Sequence, residues 1–211
     1  MDFSNLKSQI ITVENNSQLR KKDEIACYIE RNNIDRAFSR SLEIKELTTQ
    51  VDIAIHAYGI LLALPIILED DEVVESLSLG AGNTGKLFDL ITTQRVAEFK
   101  FARWRSHNNT MRQNGIFKDF LELAELSDDS EHKDKNKCIY CFDAEAVIKF
   151  LSTSNRRLDS VLSRNPVDKQ YPEIADKYRT VSKYYHARYE RDIKIVDLSK
   201  DLGLSSIVTN T

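Results

Sequence analysis

The hydrophobic and polar positions of the chain fall into stretches of helical and strand period, and each stretch predicts an element. Within residues 1 to 50, Ile25 and Ile29 and, after a break at Asn32-Asn33, Leu42, Ile44 and Leu47 stand at helical spacing among mixed charges. From Val51 to Leu68 apolar residues occupy Val51, Ile55, Tyr58, Leu62 and Ile66 and fill the positions between, which predicts a helix buried on most sides. Pro65 is expected to end or kink it. An acidic turn, Glu69 to Glu72, leads into VVESLSL, a first strand that stops at Gly80-Ala81-Gly82-Asn83. KLFDLIT and RVAEFKFA are strand-length runs separated by Thr93-Gln94, a hairpin without the favoured Asn-Gly pair. Asn108 to Leu126 returns to helical spacing, with Met111, Ile116, Phe120, Leu123 and Leu126 available for one face. Asp128 to Lys137 reads as a charged loop, KCIYCF as a fourth strand, and DAEAVIKFLS as a helix capped by Asp143. Residues 155 to 170 read as loop, Tyr171 to Glu190 as a helix rich in Tyr and Lys, and DIKIVDL as a late strand.

An order αβββαβα with only 6 Gly and 3 Pro predicts an α/β protein rather than a turn-rich sandwich. Hydrophobic residues at 41% and charged residues at 30% exclude a disordered or low-complexity chain. The chain reads as a single domain over 1–211: a helical N-terminal segment at 1–50, a core at 51–151 and a C-terminal helical extension at 152–211. The longest charge-free apolar stretch, Ala57 to Leu68, is short of the ~20 residues that span a bilayer. MDFSNLKSQIITVENN is not patterned as a secretory signal, and Cys27, Cys138 and Cys141 suit a reducing compartment, so a cytoplasmic protein without a membrane partner is expected. Thirty Lys and Arg against 33 Asp and Glu give a net charge of -3, which leaves local charge to decide about nucleic acid. Between Arg95 and Lys118 the cations Arg95, Lys100, Arg103, Arg105, Arg112 and Lys118 face the single acid Glu98, predicting a basic lip beside which Trp104 and His107 can stack or hydrogen-bond.

Turn parity decides the chemistry of the hairpin. With a two-residue turn at Thr93-Gln94, or a four-residue loop about the same centre, Asp89 lies opposite Glu98. Lys100 then shares the face of Glu98, while Phe88, Leu90, Ala97, Phe99 and Phe101 take the other. A three-residue loop would move Asp89 out of register. Opposed carboxylates repel, and a divalent ion, or Lys100 alone, would relieve them. Hard oxygen donors suit Mg²⁺ or Mn²⁺.

FDLITTQRVAEFKF resembles the active-site hairpin of the PD-(D/E)XK, or restriction-endonuclease-like, nucleases: an acid on one strand, then Glu-x-Lys on the next. The resemblance covers roughly Val51 to Leu151 and implies an αβββαβ core, a small mixed sheet flanked by helices, with the extra helices at either end outside it. It implies a metal-dependent nuclease using Mg²⁺ or Mn²⁺, with DNA as the expected substrate and a homodimer as the expected assembly. Asp89 and Glu98 would be metal ligands, Phe99 would offer its backbone carbonyl, and Lys100 would orient the attacking water. Glu75, and Asp52 after it, are the candidates for a further acid, and Gln113, four residues before Phe117, takes a supporting role. Arg103, Trp104, Arg105, Arg112 and Lys118 would hold nucleic acid. Phe88 stands where the family name has Pro.

Competing readings attach to other residues. A module of the same fold can bind nucleic acid without turnover. Gly80 to Lys86 fits the G-x4-G-K spacing of a phosphate loop, but Leu87 replaces the Ser or Thr and the loop runs into a strand pattern, so nucleotide binding is the weaker alternative. Cys138 and Cys141 lack a second pair for zinc and are expected in the core. His56 is expected to be a satisfied interior histidine. Tyr178, Tyr184, Tyr185 and Tyr189, interleaved with Lys177, Arg179, Lys183, Arg188 and Arg191, form either a second nucleic-acid surface or an ordinary amphipathic helix or oligomer contact.

Overall fold

The computed structural model describes residues 21–44, 51–80, 85–102, 110–126, 130–162, 171–188 and 193–203. The chain divides into two compact units, residues 1–101 with 198–211, and residues 102–197. Leu47, Arg103, Trp104, Arg105, His107, Tyr189 and Arg191 lie outside the described residues.

The first unit opens with helix α1 (Lys22–Arg31) and helix α2 (Ile34–Ile44). Asp23 and Glu24 begin α1 and Arg31 closes it, each sign matching its end of the helix dipole. The break falls at Asn32-Asn33 as the sequence predicts: Asn32 turns its amide back on the Tyr28 carbonyl at 2.8 Å, and Asn33 takes φ 51°, the left-handed stop that Asn tolerates. Helix α3 (Asp52–Ile67) follows, is apolar on all sides and is covered nearly all round. Both α1 and α2 pack on it. Pro65 neither ends nor breaks α3 at its own position; it stands in the last turn, and the helix stops two residues later at Ile67.

Strands β1 (Val74–Leu77), β2 (Leu90–Thr92) and β3 (Arg95–Lys100) complete this unit as an antiparallel meander. The β1–β2 register shifts between Val74 and Ser76, so Glu75 sits on a bulge. All four of Val96, Ala97, Glu98 and Phe99 are buried, so both faces of β3 are covered.

The second unit holds helix α4 (Thr110–Ala124), strand β4 (Asn136–Cys141), helix α5 (Ala144–Thr153), helix α6 (Leu158–Leu162), helix α7 (Pro172–Tyr178), helix α8 (Val181–Arg188) and strand β5 (Ile193–Asp197). β4 and β5 are parallel, from Lys137 opposite Ile193 to Cys141 opposite Asp197. Asp143 caps α5, accepting from the Ala146 amide at 3.3 Å. Ile116, Phe120 and Leu123 of α4 are buried as expected, but Met111 is 86% exposed, one helical turn short of the core. The predicted helix from Tyr171 to Glu190 is two helices, because Arg179 at φ 62° reverses the chain between α7 and α8.

The protein is thus α/β: the first unit holds the antiparallel meander β1-β2-β3 and the second the parallel pair β4-β5, each with flanking helices. Among the described residues no helix is long and apolar enough to cross a membrane.

Candidate functional site

The β2–β3 turn is built by side chains rather than by glycine. Neither Thr93 nor Gln94 takes a positive φ. Instead the Thr92 hydroxyl oxygen accepts from the amides of Gln94 at 3.1 Å and Arg95 at 2.8 Å, and its proton goes to the Glu72 carboxylate. Arg95 forks onto the same carboxylate, Nε to Oε1 at 2.6 Å and Nη2 to Oε2 at 2.5 Å, with the Glu69 amide adding a bond at 3.1 Å. Glu72 has no solvent exposure. The acidic turn therefore clamps the hairpin, and Arg95 is an internal partner rather than part of a basic lip.

With the turn held, Leu90 faces Ala97 and Ile91 faces Val96. One step outward on this register Asp89 opposes Glu98, the outcome an even-length turn requires. The Asp89 carbonyl is fixed by the Ser78 amide at 2.7 Å. Its carboxylate is held at both oxygens: His56 Nε2 lies 3.3 Å from Oδ1, and the Phe99 amide donates to Oδ2 at 2.9 Å. Lys100 Nζ lies 3.4 Å from Glu98 Oε2. The side chains of Asp89, His56 and Glu98 are 14%, 16% and 8% exposed against 34% for Lys100, so the ammonium alone reaches well into solvent. Burial works to raise the Asp89 pKa, but the hydrogen bond and charge of His56, the charge of Lys100 and the Phe99 amide outweigh it and hold the carboxyl below its ordinary value. Asp89 is anionic at neutral pH.

His56, expected as a satisfied interior histidine, is satisfied by the Asp89 carboxylate of the candidate site. A polar side chain on an otherwise apolar helix was its signal. Its position is set by a close helix–strand approach: at Gly59 a Cβ would stand 2.5 Å from the Phe101 ring, and the same ring meets His56 edge-on at 6.3 Å between centroids. The expected separation into a charged and an apolar face is accordingly incomplete, because His56 touches both Asp89 and Phe101.

The other candidates are placed as follows. Glu75 is exposed on its bulge, and Asp52 is exposed one turn before His56 on α3. Among the described residues no three His, Cys, Asp or Glu side chains form a metal-holding group, so neither acid completes one with Asp89 and Glu98. Phe99 presents its amide to Asp89, and its ring is fully buried. Gln113, in the second unit, accepts from Arg156 Nη1 at 3.0 Å. Lys118 pairs with Glu122 at 3.2 Å, and Arg112 is exposed.

Lys86 donates to the Leu77 carbonyl at 2.5 Å, and residues 85–89 lead into β2 without opening a helix, so the described part of the glycine loop lacks the helix terminus that cradles phosphate. Cys138 and Cys141 are buried three residues apart on β4, hence on opposite faces. Burial, with Asp197 and Asp143 nearby, pushes the Cys141 thiol up to about 12, the reverse of a metal-ligating thiolate. No known protein family, characterised protein or solved structure matches the chain.

Proposed function

We propose that the chain is a metal-dependent nuclease of PD-(D/E)XK type, hydrolysing phosphodiester bonds in nucleic acid, with DNA as the expected substrate. The observation that carries this reading is the hairpin register, Leu90 opposite Ala97, which counted one step outward sets Asp89 against Glu98, whose carboxylate has Lys100 Nζ at 3.4 Å. The order α3-β1-β2-β3-α4-β4 supports it. So does an Asp89 held anionic, a state a cation ligand needs.

The carboxylates of Asp89 and Glu98 offer hard oxygens, the donor chemistry that suits Mg²⁺ or Mn²⁺. Asp89 and Glu98 would hold the ion, with the Phe99 carbonyl as a further donor, while His56 keeps its contact with Asp89. When bound, such an ion polarises a phosphoryl oxygen and lowers the pKa of a coordinated water. The remaining work belongs to the chain. His56 and the Phe99 amide fix the orientation of the Asp89 carboxylate. Lys100, on a flexible stem, brings a cation to where charge develops on phosphorus-bound oxygen.

A second reading, a nucleic-acid-binding module without turnover, is favoured by the lack of a three-residue ligand group among the described residues. Incubating plasmid and oligonucleotide substrates with Mg²⁺, Mn²⁺ or chelator separates the two. The nuclease reading expects ion-dependent cleavage that falls about 100-fold or more in Asp89→Asn, Glu98→Gln and Lys100→Met. Binding without cleavage by the parent protein supports the module, and neither binding nor cleavage rejects both.

A further inference from the structure

The second unit carries a cationic strap that the hairpin chemistry does not use. Residues 154–158 run antiparallel to residues 179–182: the Ser182 amide donates to the Ser154 carbonyl at 3.0 Å, Val181 to Arg156 at 3.1 Å, and Leu158 to Arg179 at 2.9 Å. Arg157 faces Thr180 in a β-bridge. Two segments more than twenty residues apart in sequence thereby collect Arg156, Arg157, Arg179 and Lys183.

Their side chains are differently constrained. Arg156 is steadied by the Gln113 amide oxygen at 3.0 Å. Arg157 is 77% exposed and forks onto Asp159, itself 54% exposed, at 3.1 and 2.6 Å. An ion pair so open to water exchanges for another anion at little cost. Arg179 and Lys183 are exposed, and among the described residues neither has an ion-pair partner. Of the aromatic residues interleaved with these cations, Tyr184 and Tyr185 are buried, against Phe117 and Phe120, and Tyr178 is half-buried with Lys177 and Arg188 over its ring at 5.1 and 5.9 Å. The surface is therefore mainly charge and hydroxyl, with Thr180 and Ser182 adding two oxygens 3.5 Å apart, and none of Tyr178, Tyr184 and Tyr185 offers the fully exposed ring that single-strand binding uses for base stacking. Arg179 also holds a left-handed φ of 62°, a conformation that costs a non-glycine residue energy and projects its side chain at the reversal between α7 and α8.

We propose that this strap, residues 154–157 with 179–183, is a clamp for the phosphate backbone of duplex nucleic acid, gripping it without reading bases. Phosphate contacts of this kind fix position and give salt-dependent, sequence-independent affinity. The inference stands apart from the hydrolysis proposed at the hairpin.

The test is fluorescence anisotropy of a labelled duplex titrated with the full chain in chelator, over a series of salt concentrations. The parent protein is expected to bind with an affinity that falls steeply with salt. Arg179→Gly keeps the backbone, since glycine accepts a positive φ, and removes the charge. It and Lys183→Ala should each lower the salt slope by roughly one, while Arg179→Lys restores it. Unchanged binding in the Arg179→Gly, Lys183→Ala double variant, with an unaltered circular dichroism spectrum, overturns the clamp. So does tighter binding to the matching single strand, or strap-dependent binding to phosphatidylserine vesicles in place of the duplex. Cleavage assays separate the two claims: cleavage with strap variants that bind normally removes the clamp alone, and strap-dependent binding without cleavage removes the hairpin reading alone.

Discussion

Gly59→Ala tests the contact on which the position of His56 depends. An added Cβ would lie 2.5, 2.6 and 2.8 Å from Cε2, Cδ2 and Cγ of Phe101, all ring atoms. The ring has little room to retreat, because it is stacked on Phe99 at 5.7 Å and meets Phe38 and His56 edge-on at 6.3 Å each. In an open helix the change would stabilise by about 1 kcal/mol. Overpacking a filled core costs about 1–3 kcal/mol, and three atoms inside van der Waals contact put this site at the upper end. The net expectation is a destabilisation of about 1–2 kcal/mol, which at roughly 2–4 °C per kcal/mol for a chain of this size lowers Tm by about 2–8 °C. Urea denaturation should show a lower midpoint with unchanged slope. Trimming the ring with Phe101→Leu should recover part of the loss in the double variant while costing stability alone, a negative coupling between contacting residues. An unchanged or higher Tm for Gly59→Ala would show that the ring yields freely and that helix and strand do not fix His56.

Other perturbations reach the clamp, the carboxylate and the thiols. Glu72→Ala removes the carboxylate onto which the Arg95 guanidinium forks, and Glu69, 4.0 Å away and 70% exposed, is a poor replacement, so removing one member of this buried pair should cost about 3–5 kcal/mol in urea denaturation; a loss under about 1 kcal/mol rejects the Glu72–Arg95 clamp. Asp89 has a folded pKa below its unfolded value, so its stabilisation is fully present above the ordinary carboxylate pKa of about 3.9 and is lost as pH falls through the lower folded value. The difference in denaturation midpoint between parent and Asp89→Asn should therefore be flat down to about pH 5 and shrink below about pH 4, and a difference that stays constant to acid refutes the assignment. Iodoacetamide at mildly alkaline pH should modify Cys27, which is exposed, and spare buried Cys138 and Cys141 until the chain is unfolded, as counted by mass spectrometry.

The hairpin was legible because strand parity is a local rule: once the turn has an even length, the pairing of Asp89 with Glu98 follows from counting. What held the turn was not legible as such. Thr92 does the work usually given to Gly, and its partner Glu72 comes from a turn that reads in sequence as a solvated acidic run. The charge count over Arg95 to Lys118 missed partners outside that window, since Arg95 belongs to Glu72, 23 residues before it, and Lys118 to Glu122, one helical turn after it. Local density of cations carries no information about partners supplied from elsewhere. His56 was read as a satisfied interior histidine, and what satisfies it, the Asp89 carboxylate, lies 33 residues away on another element. The tyrosines from 171 onward looked like an exposed interleaved helix only while that helix was taken as continuous. The reversal at Arg179 turns Tyr184 and Tyr185 inward and leaves the cations behind.

The carboxylates of the hairpin raise a problem that the fold answers residue by residue. Two acids opposed across a ladder repel, and removing them from water adds a desolvation cost that only close partners offset. Here each acid has its own: His56 and a backbone amide for Asp89, Lys100 for Glu98. Both acids are therefore partnered by the chain itself, and the register does not depend on an added ion. An ion that enters must exchange with one of these partners, and they are not equally ready to leave. His56 is buried on a covered helix and wedged against Phe101, whereas Lys100 is one-third exposed on a flexible four-carbon stem at the end of β3. Exchange at Glu98 is the cheaper step, and it releases the ammonium beside the site, where the proposed hydrolysis would need a cation against the phosphate.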